Sequence, residues 1–281
     1  SSDVCSSDLS VALMAFMVQG HLPGEGKYGD QLDKGLAYLV QRGQAQGGYI
    51  GSSRQGMYEH GLATLALSEA WGQTERTDVR DALKAAVRVI FRAQHSSGGW
   101  RYEPRPTSHD LSVTVMQIVA LASAKEAGIV VPDTVLDDAA EYVMRCQNSV
   151  NGGFAYTPNP NPENNESGFE RTGAGVLSLI MTGRGRNQRV QRGVDYLERY
   201  PDKKFDDLRF YYYGHYYAAQ ALYQVGERQF EDWYPNVREA MIKKQRRDGS
   251  WSGSRGGDVV STGMAVLVLG VPYRYLPIYQ R

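Results

Sequence analysis

The sequence predicts an all-α fold, with about six helical hairpins stacked in an array that closes on itself. A turn signature recurs: Gly47-Gly48-Tyr49, Gly98-Gly99-Trp100, Gly152-Gly153-Phe154 and Gly249-Ser250-Trp251 each precede an apolar helix. The helices alternate in kind, one apolar and small-sided on nearly every face, the next charged along its outer side. The apolar helices share a template of Thr or His, then usually small residues three and six positions on and Leu at the seventh. His60, Thr114, Thr172, His215 and Thr262 fill the first position, with Ser10 a weaker sixth, at spacings of 50, 54, 58, 43 and 47 residues. Such spacings suit a helix pair as the repeating unit.

Residues 1–9, SSDVCSSDL, have no helical period and read as a foreign or frayed leader; residues 10–281 read as a single domain. From Ser10 an apolar helix runs to Gly20, and QLDKGLAYLVQRGQ follows as a covering helix with Leu32, Leu36 and Leu39 on one side. MYEHGLATLALSEAWG is the next inner helix and DVRDALKAAVRVIFRAQ its charged partner. DLSVTVMQIVALASAKEAG is then covered by DTVLDDAAEYVMRCQ, which Pro132 introduces at a position suited to a helix start. A long Asn/Pro loop leads to FERTGAGVLSLIMTG and the polar NQRVQRGVDYLERY. Phe205 marks a degenerate fifth turn before RFYYYGHYYAAQALYQVG, NVREAMIKKQ covers it, and DVVSTGMAVLVLG is the sixth inner helix. Hairpins of this kind form an open solenoid or a closed ring, and six favour closure because neither end carries a polar cap. Six inner helices alternate with five outer ones, so the first outer helix is missing.

Composition removes several function classes. Among 281 residues, 31 basic side chains balance 31 acidic ones, so no bulk field draws nucleic acid. Cys5 and Cys146 are too few for a thiolate metal site or a disulfide framework. No apolar run reaches the roughly 20 residues of a membrane span, and no basic-then-apolar signal opens the chain, which tilts the expected location toward the cytoplasm.

Gln94-x-x-x-Gly98-x-Trp100 and Gln245-x-x-x-Gly249-x-Trp251 match the QW repeat motif of squalene–hopene cyclases and related terpenoid cyclases, and Gln147 to Phe154 is a variant with one extra residue. The chain resembles, over its whole length, bacterial proteins described as prenyltransferase and squalene oxidase repeat proteins, including GGWRYEP, MYEHGLATLALSEA and YRYLP. The resemblance implies an α/α toroid around a central cavity. It further implies a terpenoid-cyclase-like protein that takes an isoprenoid or similar apolar molecule, with protonation-initiated cyclisation as its chemistry. The alternative is a non-catalytic toroid scaffold for a peptide, glycan or protein partner.

The acid of those cyclases is the middle aspartate of an Asp-x-Asp-Asp-Thr motif. Setting Thr114 on its threonine puts Asp110 on the first aspartate and Ser112 and Val113 on the others, so the acid's own place is empty. Asp110 is the candidate proton donor, with His109 beside it as an expected hydrogen-bond partner. Asp258, four residues before Thr262, holds the equivalent place, which suggests a helix-capping role for both. Glu59 and His60 form a second candidate pair, since a carboxyl buried in an apolar cavity holds its proton. Tyr58, Thr114, Glu170, Tyr212, Tyr213, His215, Tyr216 and Asp258 are the expected ligand-lining residues, the tyrosines because aromatic faces stabilise cations. The His215 segment resembles the zinc-histidine segment of protein prenyltransferases. No cysteine lies near it, so no metal and no cofactor are expected.

Overall fold

The computed structural model describes residues 5–52, 56–161, 163, 166–200, 208, 210–253 and 257–279. Eleven α-helices are present among the described residues, together with short 3₁₀ turns and isolated β-bridges but no strand. The inner helices are α1 (Ser6–Met17), α3 (Gly56–Trp71), α5 (Leu111–Glu126), α7 (Phe169–Leu179), α9 (Tyr211–Val225) and α11 (Gly257–Gly270). Each packs on the next, and α11 packs on α1, so the ring closes. The outer helices are α2 (Gly29–Ala45), α4 (Thr77–Ala93), α6 (Asp133–Arg145), α8 (Gln188–Glu198) and α10 (Glu227–Lys244). The fold is the α/α toroid.

Closure rests on small side chains. Gly263 and Gly270 stand two turns apart on α11 and face Val11 and Val18, two turns apart on α1. A Cβ on either glycine would sit 2.4 or 2.6 Å from a valine methyl, so only glycine lets the two helices meet. Helix α1 starts at Ser6, where the Ser10 hydroxyl donates to the Ser6 carbonyl. It therefore takes in part of the stretch expected to be a leader; residues 1–4 and Phe205 lie outside the described residues.

The recurring signature is a clamp. Gln94 donates its amide to the Gly98 carbonyl at 3.0 Å and to Val135 of the next outer helix at 2.9 Å; Gln147 does the same to Gly152 and Arg189, both at 2.8 Å. The indoles of Trp100 and Trp251 donate to Ile90 and Met241, both at 2.8 Å and both ten residues upstream. At four of its sites the template position accepts a backbone amide from the preceding turn. Thr114, Thr172 and Thr262 each accept the amide of the wedge aromatic at 3.0 Å. His60 takes the amide of Ile50 on Nδ1 at 3.1 Å and donates from Nε2 to Ala86 at 3.1 Å.

The two ends of the ring differ. At the C-terminal ends of the inner helices the segment Leu276–Tyr279 lies buried across the barrel. Pro277 rests against Gly72, Gln224 donates to the Ile278 carbonyl at 3.3 Å, and the Ile278 amide donates to Glu69 at 3.2 Å. At the N-terminal ends the turns of successive hairpins surround a mouth. Between them Tyr216 and Tyr217 of α9 reach across the lumen, and the Tyr217 hydroxyl donates to Met116 Sδ of α5.

Candidate functional site

The mouth is assembled by the same device that joins the repeats. The Met57 amide at the start of α3 donates to the Tyr102 carbonyl at 3.0 Å, and the Leu111 amide at the start of α5 donates to the Tyr156 carbonyl at 2.8 Å. In both α3 and α5 an otherwise unbonded first-turn N–H is thus satisfied by the turn of the following repeat. Tyr102 and Tyr156 stand two residues beyond Trp100 and Phe154, and their hydroxyls meet at 2.8 Å. The Tyr58 ring stacks on Tyr102 with centroids 6.1 Å apart.

Asp110 lies beneath these rings and is fully buried. Its backbone is extended (φ −151°, ψ 160°), and Oδ1 caps α5 by accepting the Val113 amide at 2.9 Å. Oδ2 has no hydrogen bond of good geometry; Arg101 Nε stands 3.9 Å away and the Tyr156 hydroxyl is its polar neighbour. Burial pushes the Asp110 carboxyl up, against the opposing pull of the Val113 amide, the Tyr156 hydroxyl and Arg101. Burial likewise raises Tyr58, Tyr156 and Tyr213, so these hydroxyls stay protonated and able to donate.

Arg101 completes the set. Its guanidinium lies 4.8 Å from the Tyr102 ring centroid and 5.9 Å from that of Tyr156, and its side chain is 33% exposed. Tyr213 of α9 reaches the same place, with Ser112 and Tyr217 beside its hydroxyl.

The sequence-derived residues therefore divide. Tyr58, Asp110 and Tyr213 come together. His109 turns away to the outer layer, where Nδ1 lies 3.1 Å from the Tyr142 hydroxyl and the ring packs on His95; burial lowers its pKa. In an extended segment adjacent side chains leave on opposite sides, so the neighbour in sequence is not the neighbour in space. His60 and Thr114 face the junction between helix and turn, and burial holds His60 down to about 4, neutral in its clamp. Glu59 accepts from the Ser52 amide at 3.0 Å and its hydroxyl at 2.8 Å. Glu170 packs on Gly214, and His215 is buried among Phe169, Tyr211 and Trp233 with Nδ1 bonded to the Tyr211 carbonyl at 2.8 Å. Tyr216 points down the barrel to Gln220 and Glu69, whereas Tyr212 lies near Arg246 and Asp258. Asp258 is exposed and bonds Arg246, so it does not share the capping role of Asp110.

Arg101, Tyr102, Tyr156 and Glu69 were not among the expected site residues. The two tyrosines had a visible signal, since GGWRYEP and GGFAYTP place Tyr at the same offset with Pro two residues later. No group of three or more His, Cys, Asp or Glu residues suited to a metal occurs among the described residues.

No family model matches the chain, and no curated protein matches it. Solved structures do. The fold is similar to unsaturated glucuronyl hydrolase of Bacillus sp. GL1, responsible for the degradation of glycosaminoglycan, over 99% of this chain and 88% of that one, at TM-score 0.69 and 12% identity. It is similar to a GH76 α-mannanase of Bacteroides thetaiotaomicron over 94% of this chain and 84% of that one, at TM-score 0.63 and 9% identity. An inactive variant of a Salegentibacter α-1,6-mannanase, in complex with α-1,6-mannotetrose, matches at TM-score 0.63 and 7% identity, covering 94% of this chain and 86% of that one. At such identities what is shared is the fold.

These neighbours correct the terpenoid-cyclase resemblance, because they are toroid glycoside hydrolases. The physical reason is the clamp: Gln94, Gly98 and Trp100 tie hairpins together, so the QW-like signature reports a turn and no chemistry. The expected apolar ligand is corrected too. Tyr216, Tyr217 and Met116 occupy the mid-lumen, and the residues that meet at the mouth present hydroxyls, a guanidinium and a carboxyl. Among the described residues no helix is long and apolar enough to cross a membrane.

Proposed function

We propose that the protein binds a glycan at the mouth of the toroid, with Asp110 placed to hand it a proton. The observation that supports this reading is the Tyr102–Tyr156 pair standing over a buried carboxyl whose second oxygen has only the Tyr156 hydroxyl and, 3.9 Å away, Arg101 beside it. Sugars offer an apolar ring face and a rim of hydroxyls, and tyrosine meets both, with a flat ring and a polar tip. A buried carboxyl with raised pKa is the form of acid that glycosidic bond cleavage uses. Toroid neighbours that hold or degrade glycans at comparable length support the class of ligand. Hydrolysis needs a second carboxyl across the bond, and Glu59 and Glu170, at the starts of the adjoining α3 and α7, are the candidates.

Calorimetric titration of the full chain with a panel of neutral and acidic oligosaccharides tests the reading, with product analysis alongside. Saturable binding that Tyr102→Ala and Tyr156→Ala weaken at least tenfold is expected, since stacking and hydrogen bonds of about 1.4 kcal/mol are lost. A folded chain that binds no member of the panel would overturn it.

A further inference from the structure

We infer that the mouth selects a carboxylate-bearing saccharide, a uronic acid, through Arg101. This rests on the glycan reading and adds the chemical class of the sugar. The geometry that points to it is a guanidinium fixed in place with its N–H groups not hydrogen-bonded. Two tyrosine faces hold Arg101 at 4.8 and 5.9 Å, no hydrogen bond joins it to any described residue, and a third of its side chain is open to solvent. Its ion partner Asp110 is 3.9 Å away, too far for a hydrogen bond.

The other charges nearby are engaged. Glu103 pairs with Arg105 at 3.3 Å, Asp258 with Arg246, and Glu59 with Ser52. Among the described residues, Arg101 is thus a cation whose N–H donors remain open to an incoming anion. Its planar fork suits a carboxylate, which it can bind through two parallel N–H donors. A uronic acid would bring that carboxylate on the same ring whose face stacks on Tyr102, so one sugar would satisfy both groups.

Titration of the full chain with an oligouronate, its neutral hexose counterpart and a sulfated oligosaccharide lacking uronate tests the assignment. The oligouronate should bind about tenfold or more tightly than the neutral chain, as a charge-assisted pair implies. Arg101→Gln should abolish that difference, read as the ratio of the two affinities within the variant, while Arg101→Lys, which keeps the charge but loses the fork, should restore only part of it. Equal affinity of the wild type for neutral and acidic chains would overturn the inference and leave the glycan reading standing. Tighter binding of the sulfated chain, or an Arg101→Gln loss equal for both sugars, would also overturn it. Absence of binding by all three would remove both.

Discussion

At the tail end of the barrel Glu69 is fully buried with both carboxyl oxygens occupied, one by the Ser123 hydroxyl at 2.6 Å and one by the Ile278 amide at 3.2 Å. At the mouth Asp110 is equally buried, yet only one of its oxygens has a hydrogen bond of good geometry, and the other turns toward the Tyr156 hydroxyl and an arginine whose side chain is one-third exposed. Burial raises both carboxyls, Glu69 to about 7. The same desolvation has different uses. A carboxyl whose partners are all protein groups fastens the chain to itself, whereas one left incomplete beside an accessible cation is arranged for something that arrives from outside. The surface follows suit. A cleft of about 610 Å³ beside the tail has Lys125 paired with Asp133 at 2.7 Å and Asp137 paired with Arg184 at 2.8 Å. Arg101 at the mouth has only the longer approach to Asp110, at 3.9 Å.

The contrast can be broken most severely at the clasp. Glu69→Ala orphans the Ile278 amide, worth about 1–3 kcal/mol when left buried without a partner, and leaves the Ser123 hydroxyl with Ser68 alone. Denaturant unfolding at pH 5 should show a loss of about 1–3 kcal/mol, with glycan binding at the mouth retained under folding conditions. A loss below about 0.5 kcal/mol, the size of an ordinary surface change, would remove the clasp.

Titration gives the next effect. Glu69 has a folded pKa of about 7, above its ordinary value, so the folded state binds the extra proton and stability falls as pH rises from about 4.5 to 7. The fall amounts to about 3 kcal/mol at 1.36 kcal/mol per unit. His60, held down to about 4, acts oppositely: the unfolded state takes the proton first, so stability falls as pH drops from about 6.5 to 4. Wild-type stability should therefore be rather flat between pH 4.5 and 6.5. Glu69→Gln should unmask the histidine and climb with pH across that window, as stability measured at closely spaced pH values would show. A variant as flat as the wild type would contradict the assignment.

Asp110→Asn should cost no more than about 1 kcal/mol, since Asn caps a helix as well as Asp, while abolishing any proton transfer to the glycan. Asp258→Asn breaks only an exposed pair with Arg246 and should change stability by less than about 0.5 kcal/mol with function intact. Equal functional loss in both variants would mean that Asp110 has no special place.

How much of this the sequence disclosed depends on distance along the chain. The hairpin repeat, the closed ring and the shared role of His60 and Thr114 follow from local spacing, because periodicity and clamp lie within one repeat. The position of Asp110 at a helix start was legible for the same reason. Its partners were not. His109 is adjacent in sequence but leaves the extended backbone on the opposite side, and Tyr156 arrives from the next turn. Glu69 and Ile278 lie 209 residues apart and meet only because the tail folds back over the ring. The aromatic residues misled through type: the tyrosines crowded in the first half of α9 suggested a cavity lining, yet Tyr216 and Tyr217 pack the lumen and Tyr213 reaches the mouth.

The central claim, that the mouth and not the tail end receives a glycan, is tested most directly by a crystal of the full chain soaked with an oligouronate. The account predicts a sugar ring against Tyr102 and Tyr156 with its carboxylate on Arg101. A saccharide lodged instead in the cleft along Thr182 and Pro277, with the mouth vacant, would contradict it.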